Sequence, residues 1–214
     1  MFKRAAILGL LGWWLSGCGS TPLPPVSGQQ GSDYPASTIA YPQMTPIPRG
    51  GLSLPDRSAF LQKDPRWGSD PLGNSSDTMA SDGCLVTATA MALANLGFQT
   101  NPKDLNARLT QTKSFTPRGW LIWDGIRKVT AGQAKADFYT EVSEEIINGC
   151  MMDGKYPLVQ FYLKNGRSHW ALVIKRDARG YHMRDPLRPS KSPLIFPRSS
   201  DAFRAVRCVG LTGQ

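Results

Sequence analysis

The residues in this sequence best suited to chemistry are a cysteine, a histidine and an aspartate. Cys84 stands in Ser81-Asp82-Gly83-Cys84-Leu85-Val86-Thr87-Ala88-Thr89-Ala90-Met91-Ala92-Leu93-Ala94-Asn95-Leu96-Gly97, which reads as a tight turn, a helix over about residues 84–96 and a closing glycine. Ser81 or Asp82 is placed to cap that helix, and Gly97 suits the left-handed position beyond its last turn. A thiol in the first helical turn meets free backbone N–H groups and the positive end of the helix dipole, which stabilise a thiolate. The same N–H groups can hold a developing oxyanion. Taken alone, Cys84 fits a nucleophile and a buried structural thiol equally well. His169 begins an otherwise apolar strand, Ser168-His169-Trp170-Ala171-Leu172-Val173-Ile174. It reads either as the base that deprotonates the thiol or as a core histidine bonded to backbone. Asp185 ends the next strand, Tyr181-His182-Met183-Arg184-Asp185-Pro186. The ends of paired strands come within reach of each other, so Asp185 can orient the imidazole, cap the Pro186 turn, or do both. A thiol, an imidazole and a polar group to orient it are what thiol-dependent acyl transfer requires. The other histidine, His182, reads as a surface or packing residue.

These residues need elements to hold them. The folded part is expected to start near Arg57, with Phe60-Leu61-Gln62-Lys63-Asp64-Pro65-Arg66-Trp67 as a loop whose Trp67 packs on the core. Asn101-Pro102 reads as an N-cap and a first-position proline, opening a short helix through Leu109. Trp120, Ile122, Trp123, Ile126 and Val129 have helical spacing and read as a core-facing stripe. Lys135 to Thr140 alternates like a strand, and Ser143-Glu144-Glu145 caps a helix running to about Met151. Then come Pro157 to Leu163, the His169 strand, the Asp185 strand and a closing strand from Arg204 to Leu211, with turns between the first three. Helices first and strands afterwards point to an α+β fold, a helical lobe with the cysteine at a helix start packed on an antiparallel sheet. No repeat of 20–50 residues is present.

The N-terminal quarter has a different composition. Lys3-Arg4 followed by a short apolar run from Ala5 to Leu15 is a targeting segment, too short to span a membrane. It ends in Leu15-Ser16-Gly17-Cys18, which resembles the bacterial lipobox. That resemblance implies a signal peptide over residues 1–17 and a mature chain starting at a lipidated Cys18, anchored to a membrane by acyl chains. Gly19 follows the cysteine, where an aspartate would favour inner-membrane retention, so in a two-membrane host the outer membrane, periplasmic face, is expected. Residues 19–56 hold eight of the seventeen prolines, with Ser, Thr, Gly and Gln among the rest. Such a stretch cannot bury a core and forms a tether, on the order of 100 Å long if extended.

The 214 residues carry a formal net charge of +9, of which Lys3 and Arg4 supply two. That excess suits an anionic membrane or cell-wall surface. No basic-aromatic motif points to nucleic acid. The four cysteines, Cys18, Cys84, Cys150 and Cys208, lack paired CxxC spacing, which argues against a zinc site. In an oxidising envelope Cys150 and Cys208 form either a disulfide or two buried thiols.

Gln62-Lys63-Asp64-Pro65-Arg66-Trp67, Asp82-Gly83-Cys84-Leu85-Val86-Thr87-Ala88, Ser168-His169-Trp170-Ala171-Leu172-Val173 and Arg184-Asp185-Pro186 together resemble a papain-like cysteine peptidase. The likeness is greatest to the bacteriocin-processing peptidases that cut double-glycine leaders. It covers about residues 57–190, with the four motifs in order. The resemblance implies that Cys84 is the nucleophile, His169 the base and Asp185 its orienting partner. It places the oxyanion-hole glutamine on Gln62 and implies no cofactor. Leu85 departs from the glycine or alanine frequent after the family's cysteine. No ATP-binding or transporter domain follows, so leader processing is not expected to carry over.

The leading expectation is therefore a membrane-tethered cysteine peptidase acting on envelope proteins or peptidoglycan peptides through a thioester. A cell-wall endopeptidase of the Asp-Cys-Ser-Gly type is a weaker match, because this chain has Asp82-Gly83-Cys84-Leu85. From a different class comes a non-catalytic binding or structural lipoprotein with a degenerate peptidase fold. The presence of all four of Gln62, Cys84, His169 and Asp185 argues against it. The sequence does not specify an oligomeric state.

Overall fold

Helix α2 (Cys84–Asn95) is apolar on nearly every side, and a helix of that kind is stable only inside a core. A computed structural model describes residues 51–196 and 202–213, and in it Val86, Ala88, Ala90, Met91, Ala92 and Leu93 of α2 are all buried. A one-turn helix, α1 (Met79–Asp82), leads directly into α2 through Gly83. Helix α3 (Pro102–Gln111) opens as expected, with the Asn101 side chain accepting the Asp104 N–H and proline in the first turn. Helix α4 (Gly125–Val129) is short. Helix α5 (Glu144–Met152) starts where the Ser143 side chain accepts the Ile146 N–H.

The strands are β1 (Leu52–Ser53), β2 (Ala134–Phe138), β3 (Tyr156–Tyr162), β4 (Ser168–Asp177), β5 (Gly180–Arg184), β6 (Leu194–Phe196) and β7 (Phe203–Leu211). They form one antiparallel sheet in the order β2-β7-β3-β4-β5-β6, and β1 pairs with the distal part of β4. The central strands β3 and β4 read as nearly continuous apolar runs because both faces are covered, α2 lying against β4 and α5 against β3. The architecture is the expected α+β arrangement of a helical lobe on an antiparallel sheet.

Three sequence expectations are corrected. The fold begins before Arg57. Leu52 and Leu54 are buried, the Tyr156 hydroxyl donates to the Pro55 carbonyl at 2.9 Å, and Asp56 pairs with Arg184 at 2.8 Å. Two buried leucines anchor the end of what reads as tether by composition.

The α2 N-cap is Gly83, without a side-chain cap bond. Ser81 instead completes a capping box with Thr78 around α1. Asp82 meets Arg167 at 3.0 Å.

The Trp120–Val129 stripe is not one helix. Loop residues bond across to each other first: the Ile122 N–H donates to Ser114 O, and Phe115 bridges to Leu121. Helix starts only at Gly125, and Trp120 is 64% exposed rather than in the core.

Cys150 on α5 and Cys208 on β7 are joined as a disulfide with their Cα atoms 5.9 Å apart. The signal segment, Cys18 and most of the tether lie outside the described residues.

Candidate active site

Cys84 is half-buried and carries a free thiol. The first intrahelical bond of α2 runs from the Thr87 N–H to the Gly83 carbonyl. Among the described residues, no backbone carbonyl takes the N–H of Cys84, Leu85 or Val86, so the helix start presents open donors beside the sulfur. Gly83 permits the tight junction of α1 and α2: a Cβ there would lie 2.8 Å from Met79 Cα.

His169 is brought to this thiol from the sheet. It stands near the start of β4, opposite Phe161 of β3, and the two rings meet edge to face at 5.4 Å. The imidazole is 2% exposed. Its Nε2–H donates to Asp185 Oδ1 at 2.6 Å, and the residue lines the same cleft as Cys84. With Nε2 committed to Asp185, Nδ1 is the nitrogen left for the thiol. Burial disfavours the imidazolium, but the bond to Asp185 and the nearness of Cys84 outweigh it and push the His169 pKa up to about 9.

Asp185 follows the last residue of β5. Leu172 pairs with Arg184, so the register continued by one residue sets Asp185 two positions from His169 across the ladder. A bulge between Val173 and Lys175 offsets that register from the turn. Asp185 Oδ1 also accepts the Leu187 N–H at 2.8 Å, so it both orients the histidine and caps the Pro186 turn. Burial raises its pKa, but the His169 bond, the Leu187 N–H and the Arg188 charge overcome that and hold it below the ordinary carboxylate value.

Gln62 links the two lobes at this point. Its backbone N–H donates to Pro186 O at 2.9 Å, next to Asp185. Its side chain is buried, and Nε2 donates to Ala80 O of α1 at 2.9 Å. Only the NH₂ end can donate to a carbonyl, which sets the amide orientation and leaves one N–H of Nε2 uncommitted. Trp67 supports the loop through a bond from Nε1 to Leu61 O at 2.8 Å.

The thiol opens onto two clefts. One, of about 240 Å³, is lined by Gln62, Ala80, Cys84, Asn165, His169 and Leu187. The other, of about 430 Å³, is walled by Leu85, Trp120, Trp123, Gln160 and Trp170. Arg167, on the β3–β4 turn, donates to Ser81 O and Asp82 Oδ1, both at 3.0 Å, and bridges the lobes beside Cys84.

The structure thus brings Gln62, Cys84, His169 and Asp185 to one place. It sets His182 elsewhere, buried and 3.0 Å from Asp177 in the β4–β5 hairpin. Cys150 and Cys208 lie on α5 and β7, outside the two clefts. Sequence reasoning missed Trp120, Trp123 and Trp170 as cleft residues. The one signal for them was the loop chemistry around Trp120, where Pro117 and Gly119 interrupt the helical pattern, Gly119 at φ +75°. Among the described residues no group of three or more His, Cys, Asp or Glu side chains is gathered in a metal-binding arrangement.

No family model matches the chain, and no curated protein matches it. Among solved structures, the chain is similar to a crystal structure from Bacillus anthracis provisionally described as a C39-like peptidase. The two are 15% identical with a TM-score of 0.49, the match covering 74% of this chain and 98% of that one.

Proposed function

We propose that the chain is a cysteine peptidase, tethered to a bacterial membrane through a lipidated Cys18, that hydrolyses peptide or isopeptide bonds of envelope proteins or peptidoglycan peptides. The observation that carries this reading is the buried His169, bonded to Asp185 at 2.6 Å and sharing one cleft with the free thiol of Cys84 at a helix start. A structural histidine needs only one such partner. A general base that must also return its proton needs both.

The steps follow from the geometry. The Cys84 proton is held on His169 Nδ1, and the Sγ so freed attacks the substrate carbonyl carbon. The oxyanion accepts from the Cys84 N–H and the uncommitted Nε2–H of Gln62. As the C–N bond breaks, the leaving amine takes the proton from Nδ1 and a thioester remains on Cys84. Water then gives a proton to Nδ1 and its oxygen attacks the thioester. Collapse releases the carboxylic acid and returns the Cys84 sulfur to His169. Asp185 keeps the imidazole in the tautomer that presents Nδ1 throughout.

The test is alkylation of Cys84 in the full chain by a limiting thiol reagent across pH 5–9. In parallel, envelope-protein digests and wall stem peptides are incubated with the enzyme and read by mass spectrometry. Fast alkylation at pH 6, slowed in His169→Ala, with cleavage products absent in Cys84→Ala, is the expected result. Alkylation that rises only near the ordinary thiol pKa of about 8.5, and is indifferent to His169→Ala, would overturn the reading.

A further inference from the structure

Three arginines near the site are used by none of these steps. Arg118, Arg204 and Arg207 meet no carboxylate among the described residues, whereas Arg66, Arg108, Arg167, Arg176, Arg179 and Arg184 each do. All three lie on aromatic rings instead. Arg118 is 5.6 Å over Trp120, Arg204 is 5.8 Å over Tyr162, and Arg207 is 4.6 Å over Phe138 and 5.8 Å over Trp123. Trp120, Phe138 and Tyr162 are 64%, 57% and 60% exposed, a marked cost for rings that serve only packing.

Phe138, Trp123 and Trp170 form a continuous path. Phe138 meets Trp123 edge to face at 5.9 Å, and Trp123 meets Trp170 at 5.7 Å. Trp123 and Trp170 wall the larger cleft at Cys84. Phe138, with Arg204, Arg207 and Tyr139, lines a second cleft of about 310 Å³ that has no acidic residue in its lining. The cleft at the nucleophile is mixed in charge, lined by Asp77, Arg118 and an Asp82 that is paired with Arg167. Arg207 is partly buried, and among the described residues its Nε has no acceptor. Its Nη1 donates to the carbonyls of Val206 and Tyr139. Burial accordingly pulls its pKa below the ordinary value. A guanidinium stacked on a ring keeps edge donors for a carboxylate, and a desolvated cation without a counter-charge is stabilised by receiving one.

We propose that this track is an extended substrate site: apolar side chains of a polypeptide lie on Trp120, Trp123 and Trp170, and an acidic stretch of the same polypeptide binds Arg204 and Arg207. This assignment rests on the peptidase reading, because the polymer threading past a nucleophile for amides is a polypeptide. It narrows the substrate class to peptides with an aspartate- or glutamate-rich segment away from the scissile bond.

The test uses the full chain carrying Cys84→Ala and fluorescent peptides with a matched acidic, neutral or basic block, read by anisotropy. The acidic peptide is expected to bind about tenfold tighter than the neutral one, with the preference shrinking as salt rises. The exposed change Arg204→Glu should remove most of the preference. Equal affinity for acidic and neutral peptides, or a preference untouched by Arg204→Glu, overturns the proposal. Tight binding of an anionic polysaccharide without binding of the acidic peptide overturns it as well. Alkylation of the wild-type Cys84 separates the two readings. A sluggish thiol with an intact acidic preference sinks the peptidase alone, and a reactive thiol without the preference sinks the track alone.

Discussion

Asp185 Oδ1 accepts two hydrogen bonds, one from His169 Nε2 at 2.6 Å and one from the Leu187 N–H at 2.8 Å. The backbone bond holds the carboxylate still while the imidazole leans on it. The pair titrates accordingly. His169, raised to about 9, is imidazolium at neutral pH, and part of that shift comes from Cys84. In an NMR titration of His169, Cys84→Ala and Asp185→Asn should each lower its value. A His169 titration identical in all three proteins would contradict the arrangement.

The same pair makes stability depend on pH. The His169 contribution is fully present below its unfolded value of about 6.5 and is lost as pH rises through about 9. Asp185, lowered in the fold, contributes above about pH 4 and loses its contribution as pH falls. Urea midpoints measured from pH 3 to 10 should plateau between these limits, and His169→Ala should flatten the alkaline fall.

On the proposed mechanism, in which the free N–H of Gln62 meets charge that exists only in the transition state, Gln62→Ala is predicted to lower kcat by about 10²-fold while changing KM little. The change also breaks the bond to Ala80 O, at a cost of about 1 kcal/mol in stability. Steady-state kinetics beside a urea melt separate the two effects.

Gly83→Ala forces a methyl to within 2.8 Å of Met79 Cα at the α1–α2 junction. A loss of about 1–3 kcal/mol is expected, with slower alkylation of Cys84 as the helix start shifts. Denaturation and probe kinetics on one preparation test both.

The Cys150–Cys208 bridge spans 58 residues of sequence, worth about 4 kcal/mol in the chain-entropy account. The double replacement by alanine should lower the melting temperature markedly and leave the Cys84 thiol reactive at a temperature where the fold persists.

A chain cut at Arg57 loses Leu52 and Leu54, the Pro55 acceptor of Tyr156 and the Asp56 partner of Arg184. It should be less stable by roughly 2–5 kcal/mol than a chain beginning at residue 51, measured by urea unfolding of the two.

The local signals in the sequence carried far. Apolar α2, the Asn101-Pro102 opening, the Ser143 cap and the apolar runs of β3 and β4 depend on neighbours a few residues away, and each stands where its pattern put it. Cys84, His169 and Asp185 were legible for the same reason, as motifs of short range, and Gln62 through the family resemblance. What those motifs did not contain is their meeting. That depends on the β4–β5 register with its bulge, on the Pro186 carbonyl that holds Gln62, and on α1 handing its Ala80 carbonyl to the same amide.

Strands β1 and β6 carry no pattern of their own, since two or three residues become a strand only by pairing with a neighbour already in place. The Trp120 loop misled the periodicity because cross-loop bonds to Ser114 and Phe115 outcompeted helical ones. Cys150 and Cys208 left a bridge and two thiols equally open, because sequence holds no distance between residues so far apart in the chain. Short-range propensity is written along the chain and can be read there. Long-range pairing is decided by which elements share one core, and only the tertiary structure makes that choice.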